Sequence, residues 1–72
     1  MNLYHAEKNG IFQVVAIPDT PLLQNLGLRI GTKISVQNRY ALGGPVLLRV
    51  EDSFSIAIGK DIATLISVKE AI

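Results

Sequence analysis

Hydrophobic and polar residues alternate with a period of two through several short stretches of this chain. In KISVQ (33–37) Ile34 and Val36 share one face while Lys33, Ser35 and Gln37 share the other, which is the pattern of a half-buried strand. PVLLRVE (45–51) repeats it, with Val46, Leu48 and Val50 set against Leu47, Arg49 and Glu51. SFSIAI (53–58) does so again, placing Phe54, Ile56 and Ile58 inward and Ser53, Ser55 and Ala57 outward. IFQVVAI (11–17) is rich in β-branched and aromatic residues between Gly10 and Pro18, so it predicts a strand either apolar on both faces or bulged in its middle. TLISV (64–68) predicts a fifth strand. The polar start MNLYHAEKNG ends in the turn dipeptide Asn9-Gly10, and the first structural element is expected only after it.

Gly43-Gly44-Pro45 suits a sharp turn, and EDS (51–53) a short polar hairpin. Five short strands joined by such turns imply one all-β domain over residues 1–72. Strands of about five residues are too short for two broad packed sheets, so a closed or nearly closed small barrel is expected, which also removes most exposed edges.

One segment breaks the period. In LLQNLGLRIG (22–31) the leucines at 22, 23 and 26 stand three and four residues apart, the spacing of one helix face. Thr20 suits the N-cap, Pro21 the first helical position, and Asp19 the positive end of the helix dipole. Gly27 suits the left-handed position just past the helix, with Leu28 folding back onto Leu23. Arg29-Ile30-Gly31-Thr32 then predicts a type II turn with Gly31 at its positive-φ position, delivering the chain to Lys33.

Composition narrows the functional classes. The absence of cysteine excludes disulfides, thiolate metal sites and thiol nucleophiles. A domain this small has a modest core, so self-association into a homo-oligomer is a natural supplement. Seven basic and six acidic residues leave a net charge of +1 with no basic stripe, which disfavours a nucleic-acid partner. No apolar run approaches the length of a membrane span or the core of a signal peptide, so direct membrane insertion is not expected and the cytoplasm is the expected location.

The ordered pieces LGLRIGTKISV (26–36), GGPVLLRV (43–50), FSIAIG (54–59) and IATLISV (62–68) together resemble the FeoA family of bacterial ferrous iron uptake proteins, from about Leu3 to Val68. The resemblance implies an SH3-like barrel of about five strands with one short helix between the first two. It also implies a cytosolic, non-enzymatic accessory role with the FeoB membrane iron transporter, which carries a G-protein domain, as partner. Two departures stand out. Ile30 occupies a position often proline in the family, and Ile58-Gly59 stands where members often carry Leu-Arg. The same barrel occurs as a C-terminal domain of metal-dependent repressors, and with Met1 opening the chain no DNA-binding domain is expected before it.

Catalytic and metal chemistry find little support. His5 is the sole histidine, Glu51-Asp52 reads as turn chemistry, and Ser53, Ser55 and Ser67 have no histidine beside them. No phosphate-loop pattern accompanies Gly59-Lys60. No cofactor, metal or catalytic site is expected. Leu22, Leu23, Leu26 and Leu28 either plug one open end of the barrel as core or leave an apolar patch for a second subunit or a protein partner, and a division is expected, with Leu23 and Leu26 inward and Leu22 at least partly outward. The candidate partner-binding residues are Leu22, Leu26, Leu28, Arg29, Gly43, Gly44 and Pro45. The alternative is a small nucleic-acid-binding barrel, for which Tyr4, Phe12, Tyr40 and Phe54 are the only aromatics and Phe54 is expected to be buried.

Overall fold

Each alternating stretch is a strand in the computed structural model, which describes residues 1–71: β1 (Ile11–Ala16), β2 (Lys33–Arg39), β3 (Val46–Val50) and β4 (Phe54–Ile58), followed by β5 (Ser67–Glu70). They form one antiparallel sheet in the order β4-β3-β2-β1-β5. The two edge strands are not paired with one another, so the barrel stays open between them. Its inner face carries the predicted apolar rows: Ile34 and Val36, then Val46, Leu48 and Val50, all buried. β1 is bulged rather than apolar on both faces. Alternation places Phe12 and Val14 inward and Ile11 outward, and where the register to β5 slips between Val14 and Ala16 the two successive residues Val15 and Ala16 are both exposed. A second slip lies between Val36 and Asn38 on β2, and such bulges bend the sheet toward a barrel.

Three sequence expectations are corrected. Phe54 is 43% exposed rather than buried. It begins an edge strand beside the hairpin turn, where β3 covers it on one side only. TLISV is not a strand along its length. The chain instead forms α2 (Lys60–Ala63), turns through Thr64 and Leu65, and enters β5 at Ser67. A connection from one edge of the sheet to the other needs this detour, and Ala63 and Ile66 are buried along it.

The N-terminal stretch is also structured. Leu3–His5 is a 3-10 turn capped by the Asn2 side chain, which accepts from the His5 N–H at 3.1 Å. Leu3 and Ala6 are fully buried. The Arg39 guanidinium donates to the carbonyls of Tyr4 (3.0 Å) and Ala6 (2.7 Å), and the Lys60 ammonium sits 5.2 Å from the centre of the Tyr4 ring. Met1 to Leu3 then runs beside β5, with Val68 N–H donating to Met1 C=O and Leu3 N–H to Ile66 C=O, both at 2.8 Å.

Candidate functional site

The short helix α1 (Pro21–Asn25) is built as its caps dictate. Thr20 Oγ1 accepts from the Leu23 N–H at 3.4 Å, and Pro21 occupies the first turn, where a missing N–H costs nothing. At the other end Gly27 has φ +83°. Its N–H donates to Gln24 C=O, and the Leu28 N–H donates to Leu23 C=O, both at 3.0 Å. This pair of bonds is the Schellman motif, which satisfies the last carbonyls and turns the chain away. Gly31 follows at φ +96°, with Thr32 N–H donating to Arg29 C=O at 3.0 Å, as expected of the type II turn.

Thr32 is a positioning residue that pattern reading missed. Its buried hydroxyl accepts from the Arg29 N–H at 3.1 Å and donates to Gly27 C=O at 3.3 Å, stitching the helix end to the turn. Gly31 N–H donates to Val14 C=O at 2.8 Å and Val14 N–H donates to Thr32 C=O at 2.9 Å, which fastens the turn to β1. The side chain is the signal that was available, since a threonine after a turn glycine has a backbone to bond.

The leucines divide as expected in part. Leu22 is 65% exposed, Leu23 is buried, and Leu26 is only half-buried against the core. Leu28 is 1% exposed, so it lines the floor of the groove beside α1 and offers little side-chain area to a partner. The reason is the Schellman geometry, which folds the residue after Gly27 back under the helix. Arg29 and Ile30 are exposed beside α1. Between the loop before the helix and the turn after it lies a groove of about 360 Å³ whose lining includes Pro18, Asp19, Gln24, Leu28, Arg29 and Ile30. Gln24 Nε2 donates to Asp19 Oδ1 across it at 3.4 Å. Arg29 makes no ion pair among the described residues.

Gly43, Gly44 and Pro45 do not join this surface. α1 packs at the Val50 end of β3, where a Cβ built on Gly27 would lie 4.0 Å from Val50 Cγ1. The glycine turn opens β3 at Val46, about 13 Å away along a five-residue strand, and Gly43 instead neighbours Lys60 of α2. The turn carries a feature that composition did not reveal. Leu42 has φ +61° and Gly43 φ +77°, with Gly44 N–H donating to Ala41 C=O at 3.2 Å, so a fully exposed leucine sits in a left-handed position.

A larger groove of about 520 Å³ lies on the outer face of β1, β2 and β3, where Ile11, Ser35, Gln37 and Arg49 face outward. Arg49 is committed within the chain, donating to Asp52 C=O at 2.9 Å. His5 stands edge-on to Tyr4 with ring centroids 5.5 Å apart. Glu51 and Asp52, at φ +51° and +56°, form the turn between β3 and β4. Among the described residues, no three of His, Cys, Asp and Glu gather where they could hold a metal ion, and no helix is long and apolar enough to cross a membrane.

Comparison with known proteins places this architecture. The FeoA domain family matches residues 1–70. The solved structure of an iron uptake regulatory protein (FeoA) is 27% identical with a TM-score of 0.84, over 97% of this chain and 94% of its own. The FeoA protein of Chlorobium tepidum shares the fold at 22% identity and a TM-score of 0.87, over 100% of this chain and 71% of its own. A manganese-dependent transcriptional repressor shares it at 16% identity and a TM-score of 0.85, over 100% of this chain, which spans 41% of the repressor's length. No curated relative matches by sequence. With a family match across residues 1–70 and a five-stranded SH3-like barrel that holds a short helix between its first two strands, this chain belongs to the FeoA family.

Proposed function

We propose that this chain is a small non-enzymatic accessory protein of ferrous iron uptake that works in the cytoplasm by binding a FeoB-type membrane transporter through the surface around α1. Family membership supports the iron-uptake role, as does the likeness to a solved iron uptake regulatory protein. The observation that carries the docking surface is Leu22, 65% exposed on a helix locked at both ends by Thr20 and Gly27. An apolar side chain on a rigid helix loses little freedom on binding, whereas the same leucine on a loose loop would have to be ordered first. Half-buried Leu26, the C-cap four residues on, supports it from the same helix face. Arg29 adds an uncommitted positive charge beside the groove. Leu28 holds the surface from beneath, and Gly43, Gly44 and Pro45 serve as a turn at the far end of β3.

Co-purification with the FeoB-type transporter of the same host, in detergent, tests this reading. Leu22→Ser should keep the fold and weaken retention about fivefold or more, the effect of roughly 1 kcal/mol of apolar burial lost from the complex. Retention equal to that of the unsubstituted chain would overturn the α1 surface.

A further inference from the structure

β4 is an edge strand without the usual protection. Its sequence, FSIAI, carries no charge and no proline, and its register with β3 is regular over all five residues. Natural edges are commonly blunted by lysine, proline or a bulge, because their unpaired N–H and C=O groups template another strand. The opposite edge shows this chain solving the same problem, since Met1 to Leu3 lies along β5 and bridges it at Asn2 and Ser67. No described segment pairs with the outer side of β4, where Phe54, Ser55 and Ala57 are exposed.

The ladder tells which groups point outward. Glu51 N–H donates to Lys33 C=O at 2.9 Å, so alternate residues of the β3 side, 51, 49 and 47, bond toward β2. Val46, Leu48 and Val50 therefore bond toward β4, where they face Ile58, Ile56 and Phe54. Among the described residues, what remains unpaired is the N–H and C=O of Ser55 and of Ala57.

We propose that this edge pairs with β4 of a second copy of the chain, antiparallel about a twofold axis at Ile56. In that register Ser55 exchanges both backbone bonds with the partner subunit's Ala57. Phe54 lies beside the partner subunit's Ile58, and Ile56 beside the partner subunit's Ile56. Every side chain keeps its face, because the paired positions are of one parity, and no backbone group is left over in the paired segment. A twofold axis sets a strand against its own sequence, so any charge in β4 would meet a like charge nearby, and β4 has none. The inner row also needs a neighbour. Phe54 is exposed and Ile56 only half-buried, while Leu48 and Val50, opposite them on β3, are fully buried. A second β4 continues the sheet past these two side chains. Five residues of edge fall short of the roughly 800 Å² per partner of a standard stable interface, so the dimer is weak and reversible.

Sedimentation equilibrium on the full chain tests the pairing. A monomer–dimer transition is expected between about 10 µM and about 1 mM, the range of an interface below standard size. Ser55→Lys/Ala57→Lys and Ser55→Glu/Ala57→Glu each set like charges opposite one another, and each should remain monomeric, with dissociation constants raised about tenfold or more. An equimolar mixture of the two variants should associate again, because each lysine then meets a glutamate. Amide hydrogen exchange needs no substitution, and at Ser55 and Ala57 it should slow as the concentration of the unsubstituted chain rises. A chain that stays monomeric to about 1 mM, variants that associate as the unsubstituted chain does, a mixture that does not associate, or exchange independent of concentration would each overturn the proposal.

Discussion

The ring of Phe54 closes over Gly27, so that a Cβ built on the glycine would stand 3.2 Å from Phe54 Cζ. Gly27 is thus constrained twice, by φ +83° and by an aromatic neighbour from β4. Gly27→Ala should destabilise the domain by about 1–2 kcal/mol, since alanine resists the left-handed conformation and must displace the ring. Gly27→Asn should cost less, because asparagine tolerates that conformation and the exposed ring can yield. Thermal melts of the three proteins measure the order, and equal melting temperatures would contradict the Schellman end of α1.

The leucines of α1 should separate by burial. Leu23→Ser, at a buried site, should cost about 3–5 kcal/mol, since it opens a cavity and buries a hydroxyl, and this rivals the stability of so small a domain. Leu26→Ser, half-buried, should cost about 1–2 kcal/mol, and exposed Leu22→Ser no more than about 0.5 kcal/mol. Circular dichroism melts check the ranking. Leu22→Ser unfolding as readily as Leu23→Ser would make the helix a plug for the barrel and nothing more.

Leu42 is stabilised by nothing that a turn residue needs. Its φ of +61° before Gly43 at +77° is the backbone of a type I′ turn, for which Asn-Gly is the preferred pair. Leu42→Asn should therefore raise stability by about 1 kcal/mol, since a bulky side chain in the left-handed region is strained by about 1–2 kcal/mol. A rise in the denaturation midpoint at unchanged slope is the expected reading. A fall would mean that the leucine is held by contacts the turn geometry does not account for.

Iron chemistry should bypass the isolated chain. The described residues bring together no group of three His, Cys, Asp or Glu side chains, so ferrous iron should find only weak carboxylate sites. Anaerobic calorimetry should show no stoichiometric site tighter than about 10 µM. A submicromolar one-to-one site would place a metal function in the chain itself.

Much of this molecule is legible from neighbouring residues alone. The alternation in KISVQ and PVLLRV, the Thr20 cap, and the glycines at 27 and 31 act within four or five positions, so the strands, the stub of helix and its turn appear in the structure where they were expected. These are short-range causes, including side-chain period, backbone bonds within a turn, and the sterics of positive φ. Burial is decided differently, by segments far apart in the chain. Leu3 and Ala6 are core residues only because β5 and Arg39 hold the N-terminal stretch, and no local pattern in MNLYHAEKNG announces that. Phe54 follows a faultless alternation yet stays exposed, because β4 comes to lie at an edge. Leu28 is buried because the chain folds back beneath α1, and Gly43-Gly44-Pro45 stand apart from α1 because β3 carries them to its opposite end. Strand order and the covering of each face arise from packing between distant segments, and a period of two records which residues share a face without recording what lies against it.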